Sequence, residues 1–203
     1  MNKRVLALIA VSIATLIYGV TFTIAKEVMP LYIKPYAFIF LRVSGGTMVF
    51  WFAGLFIKPQ KIDKEDYKKI LLASFFGITL NMLAFFKGLS LTTPISASVM
   101  MVTSPIMVLI FSSILIRKGI GRQRILGVFI GLVGAVLLIT HGNSSHDNGD
   151  NNNLGNFLVF LNAASYGLYL VLAKNLIAKY NPIVFVKWLY LFGLIFVIPF
   201  SYH

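Results

Sequence analysis

Apolar stretches of membrane-crossing length alternate along this chain with short polar or turn-bearing pieces. A spanning helix needs roughly 20 mostly apolar residues. Seven runs approach or reach that length, at residues 5–25, 36–57, 70–88, 95–116, 125–140, 155–173 and 183–202. Pro30, Pro35, Pro59, Pro94 and the pair Asn181-Pro182 fall between or at the ends of the runs, where helices stop and restart. The pattern predicts an all-α integral membrane protein with about seven transmembrane helices. It is interrupted once, at residues 141–153. This hydrophilic stretch runs from His141 to Asn153 without a Lys or Arg and reads as a solvated linker. His141, His146, Asp147 and Asp150 within it fit no standard metal-ligand spacing, and no metal site or cofactor is expected.

Composition narrows the class. Of 203 residues, 58% are apolar and only 12% are charged, about half the usual charged share of a soluble domain. A soluble globule of this size has no interior large enough for that much apolar surface. The absence of cysteine excludes disulfides, thiolate metal sites and cysteine nucleophiles. The net charge of +12 would suit nucleic acid, but the basic residues sit between apolar runs and form no soluble patch, so no nucleic-acid partner is expected.

Those basic residues instead set an orientation. Thirteen lie at the amino terminus and in the second-to-third, fourth-to-fifth and sixth-to-seventh connections, among them Lys58, Lys61, Arg122 and Lys179. Only Lys26, Lys34 and Lys87 lie at the opposite connections or their edges, and Arg42 and Lys187 lie within runs. The expectation is a multi-pass protein of the cell (plasma or inner) membrane with a cytoplasmic amino terminus and membrane lipids as its surroundings. Lys3 and Arg4 before the first run would also suit a signal peptide. The participation of that run in an internal repeat argues instead for a retained span.

The repeat has an offset of 148. Tyr18-Gly19 and Ala25-Lys26 align with Tyr166-Gly167 and Ala173-Lys174; after one deleted residue Pro35 falls on Pro182 and Gly46 on Gly193. A unit with an odd number of spans places its second copy upside down in the membrane, the inverted-repeat plan of many secondary transporters. The expected organisation is a first five-span unit over residues 1–140, a linker over 141–154, and the start of a second unit, with two spans, over 155–203. The second unit is then incomplete by roughly 80–95 residues on the repeat logic of such folds. A homodimer or a separate C-terminal half is therefore among the expected partners.

The element Gly88-Leu89-Ser90-Leu91-Thr92, Pro105 thirteen residues after Thr92, and Gly127, Gly131 and Gly134 together resemble the EamA-type transporter family of the drug/metabolite transporter superfamily. Tyr18-Gly19 is similar to the aromatic-Gly element of that family's first span, and Arg42, after Leu41, to an arginine of its second. Leu91 stands where a Tyr is usual, and Lys118 near a common Glu. The resemblance implies an inverted-repeat (5+5) fold, here with its second repeat incomplete, and efflux of amino acids, other small metabolites or drug-like organics.

All six acidic residues, Glu27, Asp63, Glu65, Asp66, Asp147 and Asp150, lie outside the runs or at their edges, so no buried carboxylate relay is expected in this chain. Arg42 lies about 9 Å inside the second run at 1.5 Å per residue. It reads either as snorkelling to the interface or as a contact for a substrate anion or carboxylate. Uncharged polar groups are the better means of orienting a substrate: Asn81 in the third run, Ser104 beside Pro105 in the fourth, Asn162, Tyr166 and Tyr169 in the sixth, and Tyr18 and Thr21 in the first. The bland reading of the hydroxyls is a bond to their own helix's carbonyls. The glycines of the fifth run read as close-packing positions, and the phenylalanines carry no assigned role. The substrate-binding set expected is Tyr18, Thr21, Arg42, Asn81, Ser104, Asn162, Tyr166 and Tyr169, serving a secondary transporter of small molecules that works by alternating access. Two other readings stand beside it: a non-transporting fragment or half of a split assembly and, with less support, a membrane enzyme. The three histidines lie in the linker or at the last residue, so no catalytic residue is assigned.

Overall fold

The computed structural model describes residues 3–29, 31–116, 121–141 and 149–201. Nine α-helices follow one another through these residues: α1 Lys3–Val28, α2 Pro35–Gly54, α3 Lys64–Ser74, α4 Leu80–Leu91, α5 Pro94–Met101, α6 Ser104–Ile116, α7 Arg122–His141, α8 Gly149–Lys179 and α9 Pro182–Val197. A π-helical turn, Phe75–Thr79, joins α3 to α4 into one continuous rod, and a 3-10 turn, Ile198–Phe200, closes α9. Six helices are long and apolar enough to cross a membrane among the described residues. The fifth run of the sequence lies within α7, a helix of 20 residues. The chain is an all-α, multi-pass membrane protein.

Local chemistry sets the breaks. Pro35, Pro94 and Pro182 each stand in the first turn of a helix, where the missing N–H has no helical partner to lose. Thr93 caps α5 by accepting from the Ser96 N–H at 3.1 Å, and Asn181 caps α9 by accepting from the Ile183 N–H at 3.0 Å. Helices reach into both ends of the hydrophilic stretch after the fifth run. Helix α7 runs through His141 and α8 begins at Gly149, so part of the expected 141–154 linker is helical. Adding a residue to an existing helix is far easier than starting one, so an apolar helix extends into asparagine-rich sequence despite its low propensity. His146 and Asp147 lie outside the described residues.

Helix α8 is the axis of the bundle. It packs most extensively on α4, then on α6, with α3, α5, α7 and the π turn around it, while α9 packs on α2 and α3. Helix α1 touches the rest only lightly, through α4 and α5. The α4–α8 contact is close because glycine faces glycine. A Cβ on Gly88 would lie 2.8 Å from the Gly155 carbonyl oxygen, and one on Gly155 would lie 2.9 Å from the Thr92 nitrogen. Gly167 gives α8 a similar approach to α6 at Met107 and Val108. In α7, by contrast, an added Cβ at Gly127 or Gly134 meets nothing within 4 Å, and only Gly131 faces a neighbour, Ile106.

Connections meet at both ends of the bundle. At one end the Lys26 ammonium donates to the Leu89 and Ser90 carbonyls at 3.0 Å, the Thr92 hydroxyl donates to Asn156 Oδ1 at 2.6 Å, and the Tyr36 and Phe200 rings approach. At the other, Lys-rich end the α2–α3 connection is tied to the end of α8. Lys179 bridges Asp63 and Asp66 at 2.6 Å each, the Tyr180 hydroxyl donates to Asp66 at 2.8 Å, and Lys69 holds the second Asp66 oxygen at 2.6 Å. Asp66 is only 3% exposed, so these donors are what make its burial tolerable. Lys187, near the same end, places its ammonium 5.1 Å from the centre of the Trp51 ring.

Candidate functional site

The third, fourth and sixth spans converge on two places where their regular backbone is interrupted. The first is the π turn. Such a turn leaves a carbonyl without its usual helical donor, and here the Ser165 hydroxyl of α8 donates to the Phe76 carbonyl at 2.6 Å. Gly77 in the same turn makes room for the Tyr169 ring. The second is the break between α5 and α6. The chain turns at Val102 and Thr103, the Thr103 hydroxyl returns to the Met100 carbonyl at 2.7 Å, and Pro105 stands in the first turn of the new helix. Ser104-Pro105 is thus a true helix interruption. Interrupted backbone within a membrane is tolerated where it is buried in protein or lines a cavity.

Between these interruptions and α1 and α2 lies a cavity of about 520 Å³, a usual size for a small-molecule site. Tyr18 and Thr21 of α1, Arg42 of α2, Asn81, Met82, Phe85 and Phe86 of α4, Met101, Ser104 and Pro105 around the break, and Asn162 and Tyr166 of α8 line it. Seven of the eight residues singled out from the sequence therefore face one space. Tyr169 is the exception: it stands behind the wall, its ring 5.9 Å from that of Tyr166. Repeat-related Tyr18 and Tyr166 meet at the same cavity.

Asn81 and Asn162 are joined reciprocally. Asn81 Nδ2 donates to the Asn162 carbonyl at 3.3 Å and Asn162 Nδ2 to the Asn81 carbonyl at 2.9 Å. Each amide finds a partner in the other helix's backbone, and this leaves Asn162 Oδ1 buried without one. The Ser104 hydroxyl is likewise buried without a partner. These residues are 2% and 9% exposed, and both atoms are enclosed within the wall without a hydrogen-bond partner among the described residues. Thr21 follows the blander expectation in part, because its hydroxyl donates to the Ile17 carbonyl of its own helix at 2.7 Å.

Arg42 places its guanidinium carbon 5.5 Å from the centre of the Phe86 ring. It borders a second, shallower groove between α1 and α2 as well, with Phe38, Leu16 and Ile24. No local pattern distinguishes Phe85 and Phe86 among the eighteen phenylalanines. Both line the cavity and are buried in the packed core. Their only sequence signal is position, one helical turn beyond Asn81 on the same helix.

The sequence profile of the EamA-like transporter family matches residues 5–140 and 153–203, nearly the whole chain. The chain belongs to the EamA-like transporter family. An "Uncharacterized transporter" of Archaeoglobus fulgidus is 26% identical over 95% of this chain and 66% of its own length. The Bacillus subtilis "Uncharacterized transporter YetK" is 25% identical over 69% of this chain and 42% of its own. A Methanothermobacter thermautotrophicus relative of the same description is 25% identical over 87% and 55%. The chain thus spans about two-fifths to two-thirds of the length of these relatives. No solved structure matches.

Proposed function

We propose that this EamA-family chain is a secondary transporter that exports small metabolites or drug-like organics by alternating access. The observation that carries the reading is the cavity itself. Helices from both expected units, α1, α2, α4 and α6 on one side and α8 on the other, contribute polar residues to one space. Its walls include a broken helix and two repeat-related tyrosines, the features that place midplane sites in inverted-repeat transporters. The two units are tied at the Lys-rich end by Asp63, Asp66, Lys179 and Tyr180 and at the opposite end by the Thr92–Asn156 hydrogen bond, and in the alternating-access cycle these ties open in turn. The repeat-unit boundaries, the cell-membrane location and the cytoplasmic amino terminus form part of the same proposal.

The test is solute flux into liposomes holding the purified chain. Saturable uptake of a metabolite, reduced more than tenfold by Asn162→Leu, is the expected result. A second reading, half of a split assembly, is favoured by the greater length of the relatives. On that reading the chain alone moves no solute, and co-reconstitution with a C-terminal half restores flux.

A further inference from the structure

The charge in the cavity wall is one-sided. Arg42 is the only ionisable acid or cation among the lining residues apart from the phenols of Tyr18 and Tyr166. Among the described residues none of the carboxylates Glu27, Asp63, Glu65 and Asp66 lines the cavity, and the ion pairs all involve Asp63 or Asp66 at the Lys-rich end. A guanidinium within the membrane depth is costly unless a negative charge or a polar surrounding balances it. The rest of the lining includes an apolar set, Met82, Phe85, Phe86 and Met101.

We infer that the cavity takes a small organic monocarboxylate with a flat apolar body, its carboxylate against Arg42 and its ring against Phe85, Phe86 and the methionines. The inference rests on the reading of this cavity as the substrate site. Net charge decides between ligand classes. A monoanion with Arg42 brings the filled site to neutrality, whereas a zwitterion leaves one positive charge over and a cation leaves two. In a medium of low dielectric each uncompensated charge is expensive, and it is more so without a carboxylate in the wall to receive an ammonium. The planar fork of arginine also matches a carboxylate with two parallel hydrogen bonds.

Three probes of one shape separate the classes: 3-phenylpropionate, L-phenylalanine and phenethylamine are an anion, a zwitterion and a cation on the same carbon frame. Binding to the full purified chain in detergent is measured by saturation-transfer NMR and competition. The expected result is that 3-phenylpropionate binds at least tenfold more tightly than the other two. Arg42→Gln should weaken it at least tenfold without weakening phenethylamine, while Arg42→Lys retains the anion preference. Equal binding of the three probes, lost in Asn162→Leu, keeps the cavity as the site and overturns the anion preference. Loss of every probe in Arg42→Gln makes Arg42 a structural residue and overturns the inference. Tighter binding of dodecanoate than of 3-phenylpropionate assigns the site to lipid acyl chains and overturns it as well. No binding of any probe to the wild-type chain overturns both the inference and the cavity reading beneath it.

Discussion

An amide in the middle of an apolar run needs a partner, and Asn81 and Asn162 find theirs in each other's backbone. The need was legible in the sequence, because hydrocarbon offers no hydrogen bonds. The identity of the partner was not, since it depends on two helices meeting at one level, 81 residues apart in sequence. Polar contacts between membrane helices contribute about 0.6 kcal/mol on average and up to about 1.7 kcal/mol. Asn81→Ala removes one bond directly and leaves the Asn162 donor its backbone acceptor. It should therefore lower stability by about 1 kcal/mol, read from unfolding in mixed dodecylmaltoside–SDS micelles. Thr21→Val should leave stability nearly unchanged in the same assay, because the Thr21 hydroxyl donates to the Ile17 carbonyl of its own helix. A loss as large as that of Asn81→Ala would mean that the hydroxyl serves another helix.

At the scale of elements, span count and approximate limits followed from run length, and Pro35, Pro94 and Pro182 marked where helices restart. Two features were hidden. The π turn at Phe75–Thr79 has no signature in Phe-Phe-Gly-Ile-Thr, because it depends on Ser165 donating from another helix to the carbonyl it frees. The packing roles of the glycines were equally hidden. Gly127 and Gly134 have the spacing of an interface and meet nothing, whereas Gly88 and Gly155, in different spans, allow α4 and α8 to touch. Overpacking of a close contact costs about 1–3 kcal/mol. Gly155→Val should therefore lower the thermal unfolding midpoint clearly, and Gly134→Ala should leave it unchanged or raise it slightly, since alanine favours helix over glycine by up to about 1 kcal/mol. Thermal unfolding followed by size-exclusion fluorescence reads both. Equal shifts would show that α4 and α8 do not approach at these glycines.

For the whole molecule, the first three spans and the last two alternate in direction, so the 55–63 and 180–181 connections share one end and residues 31–34 lie at the other. The absence of cysteine makes single-cysteine labelling clean. In intact cells Tyr32→Cys should react with a membrane-impermeant maleimide, and Lys61→Cys and Lys64→Cys should react only after permeabilisation. Labelling of Lys61→Cys from outside would reverse the proposed orientation. Labelling of Lys61→Cys and Tyr32→Cys from the same side would remove the second span.

The sequence by itself determined the environment, the number of spans and their limits to within a few residues, and a short set of polar residues with reason to be inside. These are properties of single segments, set by the length of an apolar run, by proline and by the difficulty of placing a polar group in hydrocarbon. Tertiary structure alone decided which of those residues face a common space. Asn162, Ser104 and Arg42 come from three helices and meet only because glycine contacts, the π turn and the α5–α6 break fix the depth and rotation of each helix. Depth and rotation are properties of contacts between segments, and a pattern read along one strand of sequence does not contain them.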